Sequence, residues 1–168
     1  MQNKKVKFLA HSAAIAALYV VLTLLANAFG LANYAIQVRF SEALTILPLF
    51  TPAAIPGLFV GCLLSNILTG CLPMDILCGS IATILGACGT YLIGAYLSGK
   101  KFTKYLAVLP PIVANTIIVP PLLAFIYCLE GSLWYFAVTV CIGEIISCGI
   151  LGLILYAALN KHKAAIFG

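Results

Sequence analysis

Apolar runs of about twenty residues, broken by short polar or proline-bearing stretches and three small clusters of lysine, leave this chain one environment in which to fold. A helix needs roughly 20 apolar residues to cross the ~30 Å hydrocarbon core of a bilayer, and runs of that order recur from one end of the sequence to the other. They lack the period-two alternation of barrel strands. The expected fold class is therefore an all-α polytopic membrane protein. Composition agrees, since 8% of the 168 residues are charged and 64% are hydrophobic, against roughly one-quarter charged in soluble domains.

The net charge of +5 does not point to nucleic acid, because the lysines gather in three places: Lys4, Lys5 and Lys7; Lys100, Lys101 and Lys104; and Lys161 and Lys163. Such clusters mark cytoplasmic loops and tails. All three must then lie on one side, and the chain must cross an even number of times between them. Residues of about 8–30 form one span and about 75–98 another, so the stretch between them must cross twice. Pro48, Pro52 and Pro56 mark its turn, each removing a helix hydrogen bond. The expected helices are about 8–30, 34–51, 53–71, 75–98, 105–127 and 132–159, a single six-helix membrane domain with both termini cytoplasmic.

Three patterns carry no chemistry. Ala26-Asn27-Ala28 resembles a signal-peptide cleavage site, but the preceding apolar run exceeds the usual 7–15 residues. Gly94 to Lys101, GAYLSGKK, ends in Lys where a phosphate-binding loop needs Ser or Thr, and no strand precedes it. The seven cysteines show no C-x-x-C spacing and read as small buried hydrophobes rather than metal ligands, with an outer pairing of Cys71 and Cys128 conceivable. His11 and His162 lie near the inner surface. No catalytic triad, zinc helix or nucleotide loop is present, so the chain does not read as an enzyme and carries no cofactor of its own.

What remains is a set of polar groups at membrane depth, each a functional candidate by default. Counting 1.5 Å per residue, Arg39 and Glu42 fall in the outer half of the second helix, Asn66 in the outer half of the third and Asp75 at the outer start of the fourth. Asn115 and Glu144 fall near the middle of the fifth and sixth. The inner half holds no comparable set, which favours a pocket opening outward. Arg39 and Glu42, three residues apart, can neutralise each other or serve a ligand. Asp75, after Pro73, can cap a helix or line the pocket. Glu144, in CIGEIISCG with no cation within a turn, is either protonated or paired with Arg39 or a cationic ligand. Pro110, Pro111, Pro120 and Pro121 bracket VANTII and free backbone carbonyls there. That irregularity suits a kink or a cavity wall carrying Asn115 and Thr116.

The segment SEALTILPLFTPAAIPGLFVGCLLSNI, followed by MDILCGSIATILGA, resembles the QueT family of queuosine-precursor transporters, substrate-binding S components of energy-coupling factor (ECF) importers. The likeness is strongest from Arg39 to Ala87. It implies a six-helix S component in a bacterial plasma membrane that captures a 7-deazaguanine from outside and works with a T subunit and two cytosolic ATPases, which alone use ATP. A guanine-like edge offers two parallel donors that one carboxylate, Glu42 or Glu144, can accept. A second carboxylate suits an aminomethyl cation. Arg39 or Asn115 can donate to the ring carbonyl, and Trp134, Tyr34 or Tyr135 can cover the ring face. Ala10, Ala13, Ala14 and Ala17 form a small-residue face resembling the A-x-x-x-A surface that S components turn to the T subunit. Internal packing is the competing use of that face, and of Gly57-x-x-x-Gly61.

Overall fold

The computed structural model describes residues 2–31, 37–163 and 166, and every regular element among them is helical. Helix α1 covers Gln2–Ala28, a 3-10 helix covers Phe40–Leu49, and α2 and α3 cover Ala54–Leu68 and Pro73–Tyr96. A short α4, Thr103–Leu106, leads into α5, Leu109–Pro121, which continues as a π-helical turn over Leu122–Ile126. Helix α6, Leu133–Glu144, passes through a second π-helical stretch, Ile145–Leu151, into α7, Gly152–Asn160. Four of these paths are long and apolar enough to cross a membrane: Asn3–Ala28, Pro73–Tyr96, Thr103–Ile126 and Leu133–Asn160. The 3-10 helix and α2 are shorter apolar helices, and with the four long paths they make up the six-helix bundle.

The second pass departs from the α-helix expected over 34–51. Residues 34–36 lie outside the described residues. Arg39 is extended, at φ −110° and ψ 111°, and the helix starts only at Phe40. A ten-residue 3-10 helix is unusually long, but its rise of ~2.0 Å per residue carries the chain about 20 Å where an α-helix of that length would cover about 15 Å. Its surroundings stabilise it from every side. All residues from Ser41 to Pro48 are buried, Thr45 Oγ1 donates to the Glu42 carbonyl at 2.6 Å, and Leu44 and Leu47 enter a core with Ile15, Tyr19 and Leu58. The element is a central post around which the longer helices stand.

Small residues let those helices close on one another, as expected where lipid provides no hydrophobic drive. A Cβ on Gly57 would stand 2.7 Å from the Ser12 carbonyl oxygen, and one on Gly61 2.7 Å from the Tyr19 Cβ. Gly57-x-x-x-Gly61 is thus the seam between α2 and α1. Gly86 and Gly89 of α3 meet Pro111 and Pro110 of α5 in the same way. Ala10, Ala13, Ala14 and Ala17 lie on a different face of α1 and are all exposed.

The lysine clusters share one end of the bundle. Leu49 and Phe50 line a cavity there with Lys100, Thr103, Asn160 and Lys163, and His11 lines a groove with Leu159 and Ile166. Asn27, Cys71, Tyr127 and Leu129 meet at the opposite end. All seven cysteines are free, Cys71 and Cys128 included, so the conceivable pairing between them is not formed.

Candidate functional site

Polar side chains from several helices converge on one cavity at the end remote from the lysines. Its volume is about 300 Å³. Helix α1 supplies Thr23 and Asn27, the extended stretch before the 3-10 helix supplies Gln37 and Arg39, and α2 supplies Asn66 and Thr69. Asp75 of α3 and Tyr127, just past the π turn of α5, complete the polar wall. Toward the middle of the bundle the cavity narrows to a chamber of about 20 Å³ bounded by Glu42, Thr83, Asn115, Val140 and Glu144. Gln37, Arg39, Asp75 and Val119 line both spaces, so the two adjoin.

Glu42 is 2% exposed and is held from α1: the Tyr19 hydroxyl donates to its Oε1 at 2.5 Å. Its Oε2 is buried with no hydrogen-bond partner among the described residues. Glu144, the last residue of α6, is half-buried, and its Oε2 accepts the Cys148 thiol at 3.1 Å. Cys148 also donates to the Glu42 carbonyl at 3.5 Å. The Glu42, Glu144 and Cys148 side chains thus present ligand-capable atoms within 4.8 Å of one another. A π-helical stretch begins directly after Glu144, and such turns within α-helices are frequent at functional sites.

Arg39 does not close on Glu42. No ion pair within 4.0 Å joins its guanidinium to any carboxylate among the described residues, although Glu42 and Asp75 both lie within its field. Its position comes from the backbone instead, where its N–H donates to Ser147 Oγ at 3.1 Å. The stretch behind it is seated on Gly143, whose missing side chain admits the Gln37 carbonyl.

Asp75 is third in α3 rather than its cap, a position held by Leu72 without a side-chain bond. The Tyr127 hydroxyl donates to Asp75 Oδ2 at 2.8 Å and accepts from the Leu72 N–H at 3.3 Å. A free N–H at the helix start is thereby relayed through the phenol to the carboxylate. Burial, with the bond to Asp75, pushes the Tyr127 phenol up to about 12, so it remains a donor throughout the neutral range.

The structure therefore brings Arg39, Glu42, Asn66, Asp75, Asn115 and Glu144 to two adjoining spaces. It does not bring Trp134 there: at the first turn of α6 it is 83% exposed and lines neither space. Tyr135 is also exposed, and its ring packs edge-on against Phe136. Both lie at the start of α6, more than two turns before Glu144, which is why neither reaches the chamber. Tyr34 lies outside the described residues. The aromatic ring that does line the cavity is Tyr127. Tyr19, Thr23, Thr83 and Cys148 were also missed; Tyr19 and Thr23 were signalled by their four-residue register with Asn27 on α1, Cys148 by its place four residues after Glu144, and Thr83 only by lying two turns after Asp75 on α3.

No curated protein and no solved structure matches the chain. The family model described as QueT transporter matches residues 9–161, nearly the whole membrane domain and every residue of the cavity wall, so this multi-pass membrane protein belongs to the QueT transporter family.

Proposed function

We propose that the chain is the substrate-binding S component of an ECF-type importer and that its ligand is a 7-deazaguanine precursor of queuosine, such as 7-aminomethyl-7-deazaguanine or queuine. The observation that carries the reading is the 300 Å³ cavity, at the lower end of the range for small-molecule sites, with carboxylates, amides and a guanidinium at membrane depth. Its wall matches a bicyclic ring with paired donors and a carbonyl. The cavity lies at the end opposite the lysines, which the positive-inside bias makes the external end. No nucleotide-binding loop occurs in the sequence, so the power is assigned to a T subunit and two cytosolic ATPases. The exposed Ala10, Ala13, Ala14 and Ala17 offer a T subunit a surface that admits close helix contact.

Calorimetry on the purified protein should show saturable binding of 7-deazaguanines and none of adenine, which lacks the guanine donor pair. In a heterologous cell, concentrative uptake should appear only when the T subunit and ATPases are co-expressed. Accumulation by the solitary chain, abolished by an uncoupler, would instead establish a proton-coupled carrier using Glu42 or Glu144. Orientation is tested separately. A cysteine introduced at Lys101 in a background without the native cysteines should resist impermeant maleimide in intact cells and react after permeabilisation. Labelling from outside would reverse the bundle.

A further inference from the structure

We infer that the site has two compartments with separate tasks: the outer cavity holds the ring, and the chamber formed by Glu42, Glu144 and Asn115 takes a primary ammonium group carried by the substrate. This rests on the 7-deazaguanine reading above and goes beyond it by assigning each end of the ligand. Size comes first. A space of about 20 Å³ holds a single water-sized group, which needs at least ~10–15 Å³. A bicyclic ring cannot enter, whereas an NH3+ group can. The ring must therefore remain in the 300 Å³ space, where Asp75 and Asn66 are the groups able to read its edge.

Charge is the second argument. Across the two adjoining spaces Arg39 faces three carboxyl side chains, Glu42, Asp75 and Glu144, so the acidic groups outnumber the guanidinium. Arg39 lines both spaces from their junction and forms no ion pair within 4.0 Å among the described residues. Glu42 Oε2 is buried and unpartnered, a costly arrangement unless something donates to it. An ammonium group has three donors and no acceptor. Glu42 Oε2 supplies one free acceptor, and the Glu144 carboxylate, which already takes the Cys148 thiol and a side-chain hydrogen bond from Asn115, faces it across the chamber and supplies the second.

A metal ion is the competing occupant, since Glu42, Glu144 and Cys148 have suitable spacing. The hydrogen bonding opposes it. The Cys148 thiol donates to both Glu144 and the Glu42 carbonyl, and a metal ligand would have to give up that proton.

The test compares three ligands by calorimetry on the purified full chain: 7-aminomethyl-7-deazaguanine, 7-cyano-7-deazaguanine and 7-deazaguanine itself. The amine should bind about 100-fold more tightly than the other two, equivalent to ~2.7 kcal/mol. Glu144→Gln and Glu42→Gln should reduce that ratio to below ~10-fold while keeping weak affinity for the unsubstituted ring, and Asp75→Asn should weaken all three ligands alike. If a variant fails to fold, the ligand series on the parent chain decides alone, extended by the dimethylamino analogue, which is too bulky for the chamber and should lose most of the gain. Equal, tight binding of amine and nitrile overturns the two-compartment assignment and leaves the 7-deazaguanine reading standing. Absence of binding to all three removes both. Stoichiometric zinc in the purified protein, lost in Glu42→Gln, assigns the chamber to a metal and overturns the inference.

Discussion

Gly143→Ala is expected to abolish ligand binding without touching a ligand contact. The carbonyl oxygen of Gln37 occupies the position of the missing side chain, and an added Cβ would also stand 3.2 Å from the Gln37 carbonyl carbon and 3.5 Å from its nitrogen. These are backbone atoms, so no rotamer change can relieve the overlap. The stretch carrying Gln37 and Arg39 must lift away from α6, and the bond from the Arg39 N–H to Ser147 Oγ is lost with it. Overpacking of this kind costs typically 1–3 kcal/mol in stability. The functional loss should be larger, at least about 100-fold in affinity or ~2.7 kcal/mol, because Arg39 stands at the junction of both compartments. Gly149→Ala is the control: its Cβ would meet only Ile145 Cγ2 at 3.8 Å, an ordinary contact. Replacing a helical glycine there should leave binding intact and add roughly 0.5–1 kcal/mol of stability. Equal affinities for Gly143→Ala and the parent chain would show that the 37–39 stretch does not position the site.

Gly143 also illustrates where sequence reasoning loses its hold. The span count followed from apolar length and the lysine clusters, which report on the bilayer and need no knowledge of packing. The irregular backbone expected around VANTII lies elsewhere: Leu109–Pro121 is α-helical throughout, and the π turn follows it over Leu122–Ile126. Arg39 and Glu42 were different. Their spacing suggests an intrahelical pair only if both are α-helical, whereas Arg39 is extended and Glu42 belongs to a 3-10 helix. That geometry depends on Gly143 and Ser147, more than 100 residues away. Trp134 was chosen for its ring, yet its place at the exposed start of α6 depends on where Ser132 caps that helix by accepting from the Tyr135 N–H. The partner of Glu42 was equally hidden, because a tyrosine in an apolar first helix becomes distinctive only when its four-residue register with Thr23 and Asn27 is set against the other helices.

That partner sets the second large effect. Tyr19 is 1% exposed, and its hydroxyl is the one side-chain donor to Glu42 among the described residues. Tyr19→Phe preserves the ring and its place beside Leu44 and Leu58 in the core but leaves both Glu42 oxygens unpartnered. Leaving a buried acceptor without its hydrogen-bond donor costs about 1–3 kcal/mol, and more when the acceptor is charged. Denaturant unfolding in detergent should therefore show Tyr19→Phe strongly destabilised. The double variant Tyr19→Phe/Glu42→Leu should regain most of that loss, because removing both polar partners leaves an apolar contact of similar shape. Ligand affinity should follow a different order. The double variant is the more stable of the two but lacks the carboxylate, so it should lose most of the extra affinity for the aminomethyl ligand even though it folds. Such a split separates what Glu42 costs the fold from what it contributes to recognition. If the two substitutions instead destabilise the chain additively, Tyr19 and Glu42 are not energetically coupled, and the unpartnered oxygen of Glu42 carries no information about the ligand.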